Sequence, residues 1–125
     1  MRPEDLKYTE EHQWVHIEEN EVTIGVTDFA ASELGDIVYL ELPEAGRRVN
    51  VGDSMGTIET VKAVEELYAP VSGVVIASNE SLGDKPELVN EDPFGDGWMV
   101  RIELESVDED RLISAADYNS RVDGD

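Results

Sequence analysis

The sequence predicts a mainly β fold, a barrel or sandwich of short strands with small accessory helices on its outside. Three observations predict it. Short β-prone runs recur at regular spacing, separated by Gly, Pro, Asn and Asp turn signals. The chain has 125 residues, enough for one core and too few for two comfortable ones, so residues 1–125 read as a single domain. No linker or low-complexity tract interrupts the pattern.

Taken in order, residues 4–10 read as an irregular arm with room for one strand. His12 to Glu18 alternates as a strand should, although Trp14 and Ile17 break strict parity and leave its faces unassigned. Asn20 marks a turn, and Glu21 to Val26 is a second strand with Val22, Ile24 and Val26 on one face. Thr27-Asp28 can cap a short helix that runs through Leu34 and stops at Gly35, with Phe29, Ala30 and Leu34 inward. Ile37 to Leu42 is strongly β-prone and ends at Pro43; Glu44 to Gly46 is a turn. Two runs follow, Met55 to Thr60 and Ala63 to Tyr68. Turn signals bracket the pair at Gly52-Asp53 and Pro70 to Gly73, and the connection between them is tight. Lys62 stands at its tip. Gly73 to Ser78 is a further strand, and Asn79 to Gly97 is loop-rich, with one helical turn over Pro86 to Asn90. Gly97 to Glu103 reads as the last strand. Ser106 to Glu109 is a capping-box pattern before Leu112 and Ile113, a second short helix starts near Ser114 and carries Tyr118, and Val122 to Asp125 are expected to fray.

Charge and composition narrow the function. The 30 acidic and 9 basic residues give a formal net charge of -21. Such a chain repels phosphate backbones and anionic lipid, which argues against nucleic-acid and membrane partners. The acids are spread along the chain, and scarce lysine with abundant carboxylate fits a salt-rich cytoplasm, where a Debye length of about 3 Å at molar salt screens self-repulsion. The N-terminal stretch lacks the apolar core of a secretion signal and no apolar run approaches membrane-spanning length, so a cytoplasmic location is expected. With no cysteine there is no disulfide, thiolate nucleophile or cysteine metal site. Any redox chemistry must come from a bound or attached group.

No catalytic constellation is visible. His12 and His16, four apart on one expected strand, would share a face, but no third metal ligand is indicated. Gly95-Asp-Gly97 lacks the strand-to-helix context and following Lys-Ser/Thr of a phosphate loop. Trp14 and Trp98 read as core residues, and the carboxylates are too numerous to single out an acid-base pair. What remains is one lysine on a rigid tip, an amine presented for modification.

The residues around that lysine carry a resemblance. ETVKA (Glu59 to Ala63) followed by YAPVSGVV (Tyr68 to Val75) resembles the lipoyl-attachment hairpin of glycine cleavage system H proteins. Two long blocks extend it, IGVTDFAASELGDIVYLELPEAG (Ile24 to Gly46) and PELVNEDPFGDGWMVRI (Pro86 to Ile102), so that it covers about Leu6 to Tyr118. The resemblance implies a barrel-sandwich hybrid of the lipoyl/biotinyl-carrier type. Val61 and Ala63 depart from the methionines that usually flank a biotinylated lysine. It also implies lipoate in amide linkage on Lys62, with Glu59 and Gly46, the latter sixteen residues before Lys62, read by the lipoate-attaching enzyme. Related proteins shelter the loaded arm in a surface cleft, which marks Glu11, His12, Gln13, Glu65 and Glu66 here. The chain departs from the family at Gln13, where a glutamate is common, and at Glu33, where some members have histidine.

The implied function is a shuttle and not an enzyme. A pyridoxal-phosphate glycine decarboxylase would load the aminomethyl group, a folate-dependent aminomethyltransferase would remove it, and dihydrolipoyl dehydrogenase would reoxidise the arm. Two alternatives use the same fold: a lipoyl relay supplying other enzymes, and an unmodified structural module.

Overall fold

The computed structural model describes residues 6–107 and 111–123. Ten strands and four short helices follow one another: β1 (Lys7–Tyr8), β2 (Gln13–Glu18), β3 (Glu21–Val26), α1 (Asp28–Leu34), β4 (Ile37–Glu41), β5 (Arg48–Val49), β6 (Ser54–Thr60), β7 (Val64–Tyr68), β8 (Ser72–Ser78), α2 (Ser81–Asp84), α3 (Leu88–Glu91), β9 (Val100–Ser106), β10 (Ile113–Ser114) and α4 (Ala115–Asp123). They form a seven-stranded sheet, ordered β10-β1-β2-β3-β9-β8-β5, and a three-stranded sheet, ordered β4-β6-β7. All the pairings are antiparallel. The two sheets close over a shared core as a barrel-sandwich hybrid.

Alternation builds that core. On β3, Val22, Ile24 and Val26 point inward and are 0 to 4% exposed. They meet Leu40 of β4, Met55 and Ile58 of β6, Leu67 of β7, Val75 of β8 and Ile102 of β9 in one cluster. Each such side chain contributes about 1.5–3 kcal/mol on burial. The unassigned faces of β2 have a simple cause. Val15 belongs to the main core, while its neighbour Trp14 faces a second cluster with Leu6, Tyr8, Ile113 and Tyr118. A strand covered on both sides loses the one-sided pattern. Trp14 satisfies its buried indole by donating Nε1–H to the Pro93 carbonyl at 2.8 Å.

The helix after β3 forms as its ends dictate. Thr27 accepts the Ala30 N–H at 3.1 Å, and Gly35 closes the other end with φ +78°, its N–H on the Ala31 carbonyl. Ala30 and Ala31 are buried, and Leu34 packs against the core.

Several expectations need correction. The strand expected from Gly97 begins at Val100, because Gly97 and Trp98 are held in a turn by Asp92 and Gly95. It is not the last strand, since β10 adds to β1. The capping box at Ser106 to Glu109 runs into residues outside the described ones. Ser106 itself ends β9, and Ile113 is a strand residue facing Tyr8, not a helical one. Val122, expected to fray, lies within α4 and packs on the second cluster. The turn of helix α2 was not anticipated; it carries Leu82 into the core.

Candidate functional site

The β6–β7 hairpin turns at Val61-Lys62, and Thr60 holds the turn together. Its N–H donates to the Ala63 carbonyl at 2.8 Å. Its hydroxyl oxygen accepts the N–H groups of Lys62 at 3.1 Å and Ala63 at 3.0 Å. The tip is also tied sideways, Val61 N–H donating to the Asp36 carbonyl at 3.2 Å. Asn90 of α3 secures that neighbouring corner: its amide donates to the Gly35 carbonyl at 2.8 Å, and its oxygen accepts the Ile37 N–H at 3.1 Å. Lys62 is therefore exposed on a braced support. Its Nζ donates to the Glu33 carbonyl at 3.3 Å, at the C-terminal end of α1, where a cation is favoured by the helix dipole.

Glu33 also belongs to a cleft of about 310 Å³. Apolar side chains make its floor: Val26, Phe29, Ala30, Leu34, Ile58 and Leu67. Carboxylates stand around it, from Glu11, Glu33, Glu65 and Glu66, joined by His12, Gln13 and Tyr68. The sequence-marked residues Glu11, His12, Gln13, Glu65 and Glu66 thus line one cavity, although they come from two distant segments. Glu65 and Glu66 both line it from β7, an edge strand of the smaller sheet, and the Glu66 carboxylate also accepts a hydrogen bond from the Ser54 hydroxyl. The cleft can accommodate an aliphatic chain along its floor and a cation among its carboxylates.

His12 does not share a face with His16. It precedes β2 with φ +62°, which breaks the strand parity on which that expectation rested. Its ring tilts against Phe29, centroids 4.8 Å apart, and Nδ1 lies 2.8 Å from the Tyr118 hydroxyl. His16 instead lines a separate depression with Glu18, Thr23 and Arg101. Gln13 is buried and donates to the Tyr68 carbonyl at 2.7 Å, linking the N-terminal segment to β7. The hydroxyl of Tyr118 is held above the ordinary tyrosine value, chiefly by burial, with Asp28 adding and the hydrogen bond to Thr27 opposing.

Glu59 is exposed in a row across the small sheet, Tyr39 opposite it on β4 and Val64 opposite it on β7. Tyr39, Val61 and Val64 are all more than half exposed, so the tip carries an apolar surface beside its lysine. Gly46 lies away from the cleft, in the turn between β4 and β5, with φ +95° and its N–H on the Val75 carbonyl. Sequence reading did not name Glu33, Phe29, Tyr68, Asn90 or Tyr118 as site residues. Phe29 was visible only as an inward helix residue, and nothing local ties Tyr118 or Asn90 to segments so far away in the chain.

Comparison with known proteins agrees with this geometry. A model of the glycine cleavage H-protein family matches residues 6–124. The glycine cleavage system H protein of Staphylococcus haemolyticus is 53% identical over 121 residues, covering 96% of each chain. That of Bacillus cereus is 54% identical over 117 residues, covering 93% of this chain and 92% of the relative. The crystal structure of the H protein from Mycobacterium marinum superposes with a TM-score of 0.90 at 35% identity, covering 98% of this chain and 99% of that one. On this match over nearly its whole length, the chain belongs to the glycine cleavage H-protein family.

Proposed function

We propose that the protein is the lipoyl carrier of a glycine cleavage system, with lipoate in amide linkage on Lys62. The observation that carries this reading is the place of that amine, on a braced hairpin tip and 3.3 Å from a carbonyl of the cleft wall. The residues fit the group. Lys62 presents the nucleophilic amine, the apolar floor suits an aliphatic arm, and the carboxylates of Glu11, Glu33, Glu65 and Glu66 suit an arm that ends in an ammonium. When attached, lipoate supplies the dithiolane redox and group-carrying chemistry that a chain without cysteine lacks.

The chain's own part is to present, shelter and release. The tip fixes the direction of Lys62, and tethering raises the arm's effective concentration at each partner active site. Glu59, exposed three residues before Lys62, and Gly46 are the marks for the lipoate-attaching enzyme. The cleft residues His12, Gln13, Glu65 and Glu66 exclude water from the loaded end. The partners are the glycine decarboxylase, the aminomethyltransferase and dihydrolipoyl dehydrogenase, and the protein serves them as co-substrate in the cytoplasm.

The test is incubation with a lipoate-attaching enzyme, lipoate and ATP, followed by intact mass and a peptide map. One lipoyl amide on Lys62 is expected, and the product should then support glycine turnover with the other components. No mass gain, with a known acceptor modified alongside, would overturn the reading.

The net charge of -21 points to a salt-rich setting. The ion pairs Arg48–Glu105, Arg101–Glu21 and Arg121–Glu10 are solvent-exposed and add little. Molar KCl should therefore raise the thermal midpoint well above its value in dilute buffer, by screening repulsion among the remaining carboxylates. Equal midpoints would exclude salt adaptation.

A further inference from the structure

His12 occupies a left-handed backbone conformation that few non-glycine residues adopt, and such strain persists only where surrounding contacts impose it. The contacts are present. Its N–H donates to the Thr9 carbonyl at 3.1 Å, and its carbonyl accepts the Thr27 N–H at 3.0 Å. Its ring is held between Phe29 and the hydroxyl of Tyr118, a residue of the distant C-terminal helix. Tyr118 is itself fixed, 4% exposed and stacked on Tyr8 with centroids 4.5 Å apart and planes 8° from parallel.

The hydrogen bonds behind His12 have a direction. The Tyr118 hydroxyl lies 2.8 Å from Thr27 Oγ1 and 2.8 Å from His12 Nδ1. Each hydroxyl carries one proton. Thr27 Oγ1 already accepts the Ala30 N–H, and among the described residues its own proton has only the Tyr118 oxygen as acceptor. If Tyr118 donated to Thr27, the Thr27 proton would be left without an acceptor at a residue that is 0% exposed, which folded proteins avoid. The chain therefore runs from Ala30 N–H to Thr27, from the Thr27 hydroxyl to Tyr118, and from the Tyr118 hydroxyl to His12 Nδ1.

We infer that this relay holds His12 as the neutral Nε2–H tautomer, a hydrogen-bond donor in the cleft, and that Tyr118 is its positioning residue. A proton on Nδ1 would instead donate to the Tyr118 oxygen and leave the Thr27 or the Tyr118 proton without an acceptor among the described residues. Nε2 has no partner among the described residues, so its N–H is free for a ligand. This donor lies in the same cleft as Glu11, Glu33 and Glu65, whose carboxylates suit a cation. The ligand class is then an uncharged acceptor, a carbonyl or sulfur, on an arm whose end is cationic. This last step rests on the carrier reading; the tautomer does not.

The experiment is long-range 1H–15N correlation of the histidine imidazoles in the unlipoylated protein at neutral pH, with His16→Gln to assign the two rings. The expected pattern for His12 is an unprotonated Nδ1 and a protonated Nε2. Tyr118→Phe keeps the ring stack and removes the hydroxyl, so His12 should change to a mixture of tautomers, whereas Thr27→Ser, which keeps the relay, should retain the original pattern. A protonated Nδ1 in the parent protein, or an unchanged pattern in Tyr118→Phe, would overturn the inference, and the parent spectrum decides even if a variant does not fold. Release of the aminomethyl group from the loaded Tyr118→Phe protein should be faster by up to about twofold, as the Nε2–H form falls toward half of the His12 population. An unchanged release rate with the expected spectra would remove the ligand role and leave the tautomer standing. Failure of the carrier reading would show separately, as no mass gain on Lys62.

Discussion

Lys62→Arg is expected to abolish lipoyl attachment and all glycine turnover while leaving the fold as stable as the parent. Arginine keeps the charge and the length but is permanently protonated, so it offers no amine for acylation. Stability should not change, because the tip is held by groups the substitution leaves alone. The Lys62 N–H on Thr60 Oγ1, the Ala63 N–H on the same oxygen and the Val61 N–H on Asp36 do not involve the lysine side chain. That side chain is exposed and, among the described residues, makes one hydrogen bond, to the Glu33 carbonyl. Surface changes of this kind usually stay within about 0.5 kcal/mol. Intact mass, turnover with the partner enzymes and a thermal melt check the three parts. Residual turnover by the arginine variant would mean that the chemistry does not pass through Lys62.

Gly56→Ala should do the reverse, damaging the fold and through it the site. Gly56 sits at the irregularity in the β6–β7 pairing, next to Thr57, which pairs with Glu41 at the end of β4. A Cβ there would fall 1.9 Å from the Glu41 carbonyl oxygen and 3.0 Å from its carbon. Both atoms are backbone, so no rotamer change relieves the clash, and β4 must move off β6. That shift would disturb the pairings Glu41–Thr57 and Leu40–Ile58 and the core beneath them. The expected loss is about 3 kcal/mol, at the upper end for overpacking, lowering the thermal midpoint by roughly 10 °C. Lipoylation of Lys62 should fall in proportion to the unfolded fraction and recover on cooling. A midpoint within a degree of the parent would show that the sheet yields more easily than its backbone contacts imply.

The two substitutions mark how differently fold and site are written into the chain. Strand β3 was legible because it alternates against a single core, as Val22, Ile24 and Val26 do, and β6, β7 and β8 because turn signals at Gly52-Asp53 and Pro70 to Gly73 mark their ends. Helix α1 was legible because its cap and its stop are local, Thr27 at one end and Gly35 at the other. The faces of β2 were not, since Trp14 and Val15 are buried on opposite sides by elements far away. Gly97 and Trp98 looked like strand and are turn, because carbonyls of Asp92 and Gly95 capture their N–H groups before pairing can begin.

By itself the sequence determined a mainly β chain, an extreme negative charge and one lysine on a tight hairpin. These depend on neighbours within a few positions, on composition, and on a motif whose residues are contiguous. The resemblance marked the 11–13 segment and Glu65-Glu66 for one cleft; only the tertiary structure decided that Phe29 and Leu34 of α1 line the same cavity, and that the end of α1 receives the Lys62 amine. It alone gave His12 its place, since Tyr118 reaches back 106 residues to hold the ring. Such contacts follow from how two sheets and a terminal helix close on one core, and no spacing along the chain records where that closure brings side chains together.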